Sequence, residues 1–374
     1  MSEAQIRVAL EDLRRGVVVL VEPHHVVDAH TAVVDGAGLA AANSKSRRTS
    51  PVPPVVYTPQ QLMSQTLELG IENLNGREPS VKEKLRIHRE LLQRHTFKTS
   101  HRILLGDARH MQAVKDQSVH LVVTSPPYFD LIEYEDGPSQ LGHVHDYARF
   151  LDEIDKVWKE SLRVLIPGGR LCIVVGDVCR ARRRHGKHEV IPLHADILVR
   201  CRQLGYEGLA TIFWHKIANA ATEVGGPGAA LGKPYEPNGV VKNDVEYILR
   251  LRKPGPYRKP TPLQRAGSML PPEDYDASMR QVWADIPGAS RRDGHPAPFP
   301  VTLAARLIRI SSYVEDTVLD PFLGSGSTTL AAIETHRNSI GLEVEEKYWK
   351  TAKIRLPHSS LLANATLEFE RTAR

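Results

Sequence analysis

A chain of 374 residues, 41% hydrophobic and 25% charged, has the composition of a soluble globular protein with room for one large catalytic domain and an accessory region. Its formal net charge of +5 permits a polyanionic partner without requiring one. Three cysteines (Cys172, Cys179 and Cys201) with no CxxC pair exclude a disulfide framework and a zinc knuckle, so a reducing, cytoplasmic setting and no metal are expected.

The first residues alternate charged and apolar groups. The run Val17 to Val21 is far too short to cross a bilayer, so neither a signal peptide nor membrane attachment is expected. Residues 1 to about 40 read as a mixture of helix and strand around Ile6, Val8, Leu10 and Leu13. Residues 41–56, rich in Ser, Arg and Pro, read as a linker. Thr58 with Gln61 three residues on has the form of a capping box, and a further helix is predicted over Val81 to His95.

From residue 101 strands alternate with helices. Strands are predicted at Ile103 to Leu105, Leu121 to Thr124, Arg170 to Val175, Leu209 to Trp214, Val245 to Leu251, Thr317 to Asp320 and Ser339 to Glu343. Most are continuous apolar runs, the mark of strands buried on both faces. Helices are predicted over Tyr147 to Leu165, ended by Pro167-Gly168-Gly169, over Val301 to Ser311, and over Ser327 to His336. The alternation predicts an α/β fold with a doubly wound, mainly parallel sheet. Between about Ala218 and Pro296 periodicity is poor apart from the strand at 245, as in inserted loops.

Two loops carry the chemistry. Asp320-Pro321-Phe322-Leu323-Gly324-Ser325-Gly326-Ser327-Thr328 follows a strand and opens a helix, so its glycines allow a tight turn beside free helix N–H groups. A phosphate-binding P-loop needs Lys before the Ser/Thr and none is present; a dinucleotide loop needs three spaced glycines and only Gly324 and Gly326 fit. Glu343, at the end of the next strand, is placed to accept from ribose hydroxyls. The second loop is Thr124-Ser125-Pro126-Pro127-Tyr128. An exocyclic amine on an aromatic ring is a poor nucleophile because its lone pair is delocalised. Two acceptors, Ser125 Oγ and the Pro126 carbonyl, can bind its two N–H groups and turn the lone pair outward. Two prolines preset that backbone, and Tyr128 can stack on the ring.

With the amine clamp first in the chain and the glycine loop last, the sequence resembles the permuted class β of S-adenosylmethionine-dependent DNA amino-methyltransferases. The likeness covers roughly residues 101–356 and includes Ile166-Pro167-Gly168-Gly169-Arg170 to Asp177, Phe213-Trp214-His215-Lys216 and His295 to Pro300. It implies a Rossmann-like seven-stranded methyltransferase sheet, circularly permuted, spanning 101–374, with 218–290 as an inserted target-recognition region. Residues 1–100 are then an N-terminal extension, which matches no motif and suits dimerisation, DNA contact or covering of the cofactor. S-adenosyl-L-methionine is the implied cofactor, with Asp107 at its adenine amino group and Phe299 and Pro300 beside its methionine moiety. The glycine loop (Asp320, Pro321, Phe322, Gly324, Ser325, Gly326, Ser327, Thr328) and Glu343 complete its site. Ser125, Pro126, Pro127 and Tyr128 are the implied catalytic residues.

Ser in the first clamp position with Thr before it is the pattern associated with N4 of cytosine, Asp with N6 of adenine. C5 methylation needs a Cys nucleophile after a Pro, and none of the three cysteines follows one. The resemblance therefore implies a site-specific cytosine-N4 methyltransferase acting on a flipped base in double-stranded DNA. The alternatives are adenine-N6 methylation, RNA methylation, or a non-catalytic nucleic-acid-binding protein. Arg182, Arg183, Arg184 and Lys187, with Arg291 and Arg292, are candidate phosphate contacts. A homodimer, a cognate restriction endonuclease partner and a bacterial or archaeal cytoplasm complete the expectation.

Overall fold

The computed structural model describes residues 20–21, 55–56, 80–127, 129, 144, 146–180, 186–187, 189–215, 237, 243–288, 300–357 and 364–372. The predicted Thr58 helix start therefore lies outside the described residues. Two compact units form, Met1–Thr96 with Pro260–Met269, and Phe97–Lys259 with Leu270–Arg374. In the first, the helix Val81–Arg94 begins at a Ser80–Glu83 capping box, in which Ser80 N donates to Glu83 Oε2 at 2.7 Å. It packs on the short helix Pro262–Gly267, with His88 Nδ1 bonded to the Ala266 carbonyl.

The second unit runs β1 Thr99–Leu105, β2 Val119–Thr124, α1 Tyr147–Val164, β3 Leu165–Val175, β4 Val178–Arg180, β5 Glu189–Ile191, α2 Leu193–Gln203, β6 Glu207–Gly208, β7 Ile212–His215 and β8 Val245–Arg252. It continues α3 Pro272–Ser278, β9 Val282–Trp283, α4 Val301–Ser311, β10 Thr317–Asp320, α5 Ser327–Glu334, β11 Asn338–Glu343, α6 Glu346–Arg355 and β12 Ala365–Arg371. One ten-stranded sheet has the order β9-β7-β8-β3-β2-β10-β11-β1-β12, with β6 on β8. Strands β3, β2, β10, β11, β1 and β12 are parallel neighbours, and β8 alone runs antiparallel to the strands it pairs with.

All seven predicted strands are present. The sheet gains β6 and β9, each of two residues and so without a period to read, and β12 at an edge. Charges in β12 (Glu368, Glu370, Arg371) obscure its pattern, yet they suit an edge strand, and Glu370 pairs with Arg102 of β1 at 2.8 Å. Residues 243–288, the described part of the 218–290 region apart from residue 237, are less loop-like than their composition predicts. Trp283 is fully buried, and Trp214 Nε1 donates to the Ile286 carbonyl at 2.8 Å.

Alternate residues of the central strands point to opposite cores. Val122, Ile173, Val175 and Leu319 meet Phe150, Ile154, Val157 and Trp158 of α1 and Leu193 and Ile197 of α2. Leu121, Val123, Cys172, Val174 and Val318 meet Leu303, Leu307 and Ile308 of α4 and Ala331 and Ala332 of α5. Because β1, β2, β3, β10 and β11 are parallel, the loops after Leu105, Thr124, Val175, Asp320 and Glu343 all leave from one edge, where ligands bind in sheets of this type. Among the described residues no helix is long and apolar enough to cross a membrane.

Candidate active site

The clamp strand β2 and the glycine-loop strand β10 are adjacent, in register at Val122 and Leu319. A buried carboxylate joins their ends. Asp320 Oδ1 accepts from Thr124 Oγ1 at 2.7 Å, across 196 residues of sequence, and from Phe322 N at 3.0 Å. Its Oδ2 accepts from Thr328 Oγ1, in the first turn of α5, at 2.6 Å. Burial raises the Asp320 pKa, and these three donors oppose the rise by favouring the charged form. Asp320 thus ties clamp to loop, with both oxygens occupied inside the protein. Beyond Thr124, Ser125 is half-buried, Pro126 buried and Pro127 half-buried; Tyr128 lies outside the described residues. Phe129 is buried, edge-on to Tyr147 at 5.1 Å, and anchors the far side of the turn.

The glycine loop is gripped from two sides. Leu323 N donates to the Leu342 carbonyl at 2.8 Å, holding the loop against β11. Gly326 has φ +91°, a left-handed conformation that side-chain-bearing residues rarely adopt, and a Cβ there would lie 3.0 Å from the Leu356 side chain. Pro321 is buried, and Phe322 packs edge-on to Trp158 at 6.3 Å. Arg355, in the last turn of α6, donates from Nη1 to Ser325 Oγ at 2.7 Å and to Ser327 Oγ at 3.3 Å.

Glu343 ends β11 beside the loop. Its Oε2 accepts from Gly324 N and its Oε1 from Glu345 N, both at 2.8 Å. Burial pushes its carboxyl up to about 7, against the pull of those two N–H groups. Asp107, after β1, is held by Arg109, whose backbone N–H and guanidinium both donate to it; the same guanidinium reaches Glu153 of α1 at 2.6 Å. Pro300 is buried at the start of α4.

Ser125, Asp107, the Asp320–Thr328 loop and Glu343 therefore share one edge of the sheet. Of the other expected site residues, Phe299, Arg182, Arg183, Arg184, Arg291 and Arg292 lie outside the described residues. Lys187 is exposed, near the β4–β5 hairpin, and pairs with Glu189 at 3.1 Å.

Sequence reasoning missed three features. Thr124 stands in the sequence only as the residue before the clamp. Arg355 carries no motif signal, since an Arg in a last helical turn is ordinary. The third follows β3. Asp177 Oδ1 accepts from His194 Nδ1 at 2.6 Å and from its backbone N at 3.2 Å, and the imidazole stacks on Tyr247 with centroids 3.5 Å apart. Gly176-Asp177 is legible as a strand end, but its partners come from α2 and β8.

Residues 119–354 match the N6/N4 family described as DNA methylase. The chain belongs to this DNA methylase family. The type II methyltransferase M.MjaI of Methanocaldococcus jannaschii is 38% identical over 66% of this chain and 88% of its own length. M.MthZI of Methanothermobacter thermautotrophicus is 35% identical over 72% of this chain and 79% of its own. Among solved structures, TTHA0409 from Thermus thermophilus, complexed with S-adenosyl-L-methionine, superposes with TM-score 0.60 at 48% identity, over 73% of this chain and 99% of that one. The cytosine-N4-specific PvuII DNA methyltransferase shares the fold, with TM-score 0.52 at 19% identity over 72% and 96%. The DNA methylase fold thus accounts for the sheet order and for the shared edge of clamp and glycine loop.

Proposed function

We propose that this DNA methylase uses S-adenosyl-L-methionine to methylate the exocyclic N4 amine of a cytosine flipped out of double-stranded DNA at a specific short sequence. The observation that carries the reading is the Thr124–Asp320–Thr328 bridge, which brings an amine clamp and a glycine loop into one rigid unit.

The residues fit the cofactor. Gly326 turns the loop in a left-handed conformation, the start of α5 has no side-chain cap and no acid in its first turn, and Glu343 supplies a buried carboxyl at the neighbouring strand end. Bound there, S-adenosylmethionine supplies an electrophilic methyl group on a sulfonium. The loop from Asp320 to Thr328 would hold it with Glu343, Asp107 and Pro300, and Phe299 would border it. Ser125 Oγ and the Pro126 carbonyl accept the two amine N–H groups and so direct the lone pair out of the ring plane. Pro126 and Pro127 fix that geometry before the base arrives, which removes an ordering cost from the reaction. Tyr128 stacks on the flipped base. Lys187 and the Arg182–Arg184 run contact phosphates, as do Arg291 and Arg292, and the 218–290 region reads the sequence. The choice of cytosine-N4 over adenine-N6 rests on the Ser125 clamp position.

Nucleoside mass spectrometry of mixed-sequence DNA, treated with the protein and S-adenosylmethionine, tests the reading. The expected product is N4-methylcytosine, absent with Ser125→Ala and Tyr128→Ala. N6-methyladenine in its place overturns the base assignment and keeps the mechanism. No methylated base in DNA, with cofactor bound, overturns the DNA reading.

A further inference from the structure

We infer that Arg355 is a positioning residue for the methionine carboxylate of the cofactor, acting through the hydroxyls of Ser325 and Ser327. The inference rests on the cofactor reading above and names the group that this part of the loop receives.

A single guanidinium nitrogen, Arg355 Nη1, reaches Ser325 Oγ at 2.7 Å, Ser327 Oγ at 3.3 Å and the Ser325 carbonyl at 3.4 Å. Two hydroxyl oxygens within reach of one nitrogen lie on the same side of the chain. The left-handed turn at Gly326 between them makes this possible. Both serines are only 6% exposed, so their hydroxyls need partners within the protein or in a ligand. A hydroxyl whose oxygen accepts from a cation turns its O–H away from that cation and becomes a stronger donor. Ser325 and Ser327 are thus prepared as donors, not acceptors.

They stand where donors already gather. Ser327 opens α5, an eight-residue helix whose N-cap is Gly326; it has no side-chain cap and no acidic residue in its first turn. The first N–H groups of a helix have no intrahelical acceptor and attract negative charge. Uncapped N–H groups beside two cation-polarised hydroxyls make a donor set for an anion. The carboxylate is the anionic group of S-adenosylmethionine. Arg355 is set behind the serines, so it contributes its charge through them and also fixes their rotamers.

Calorimetric titration of the full chain separates this role from simple bracing of the loop. The ligands are S-adenosylhomocysteine, which carries the carboxylate, and 5′-methylthioadenosine, which lacks the amino-acid group. Arg355→Ala is expected to weaken S-adenosylhomocysteine by about tenfold or more, with 5′-methylthioadenosine changed less than about twofold. In steady state the KM for S-adenosylmethionine rises and the KM for DNA holds. Arg355→Lys, which keeps the charge and loses the fork, falls between. Equal weakening of both ligands overturns the inference, as does no weakening of either. Where Arg355→Ala fails to fold by circular dichroism, the Ser325→Ala/Ser327→Ala variant carries the same test. Wild-type protein that binds neither ligand overturns the cofactor reading, and this inference with it.

Discussion

Asp320 and Glu343 are both buried acids in the site, and their surroundings divide their roles. Asp320 accepts from Thr124 at the end of the clamp strand and from Phe322 and Thr328 of the glycine loop, so it holds the two together. Thr124→Val removes one donor from that buried carboxylate. It is expected to lower stability by ~1–3 kcal/mol in urea denaturation. It should also cut kcat far more than it raises the KM for S-adenosylmethionine, because the clamp strand loses its tie while the loop keeps Thr328. A KM effect larger than the kcat effect would sink this assignment. Glu343 has a carboxyl raised to about 7 from 4.5 by burial. The folded protein therefore holds a proton that the unfolded chain releases. This group favours folding at low pH, and the contribution is lost as pH rises from about 4.5 through about 7. A ribose hydroxyl donating to Glu343 favours the charged form, so cofactor affinity should climb as pH rises through about 7. Calorimetry near pH 6.5 in buffers of different ionisation heat should detect proton release on binding, and Glu343→Gln should abolish it. A pH-independent affinity in the wild type would refute the coupling.

At the scale of elements, the glycine loop works because two glycines in different elements let it settle. Gly326 supplies the left-handed turn. Gly341, inside β11, leaves room for Leu323: a Cβ at 341 would lie 2.6 Å from Leu323 Cδ1. Gly341→Ala is expected to push the loop from its seat and cost ~1–3 kcal/mol of stability, with weaker cofactor binding. Adding Leu323→Ala should restore part of both, since it removes the colliding atoms; a double variant no better than the sum of the singles would contradict this. Gly326 is legible in the sequence as a turn position. The need for Gly341 is not legible, because the atom it accommodates belongs to another element. The same limit hides β6 and β9, whose two-residue pairings rest on neighbours and not on their own pattern.

Across the whole molecule, the parallel order of β2, β10, β11 and β1 gathers the functional loops on one edge and leaves a polar chain inside the sheet. His101 of β1 is fully buried, bonded to Ser339 at 2.8 Å and Thr99 at 2.8 Å, and burial lowers its pKa from 6.5 to about 4. Below pH 6.5 the unfolded chain takes up a proton that the folded chain refuses, so this group's contribution is complete above about 6.5 and lost as pH falls towards about 4. Comparing denaturant unfolding of the wild type with His101→Gln, the stability difference should shift against the wild type by up to ~3 kcal/mol between pH 7 and pH 4. A difference independent of pH would show that His101 does not titrate between the two states.

The sequence by itself determined the α/β alternation, the two loops and their order, since apolar runs, Pro-Pro and Gly-x-Gly act through local backbone geometry and burial on both faces. Only the tertiary structure decided which acid does what and which distant residues serve the loops. Asp320 meets Thr124 across 196 residues, and Arg355 reaches back to Ser325 and Ser327. Hydrogen bonds of that kind depend on strand order and helix placement, and those are set by packing the entire core.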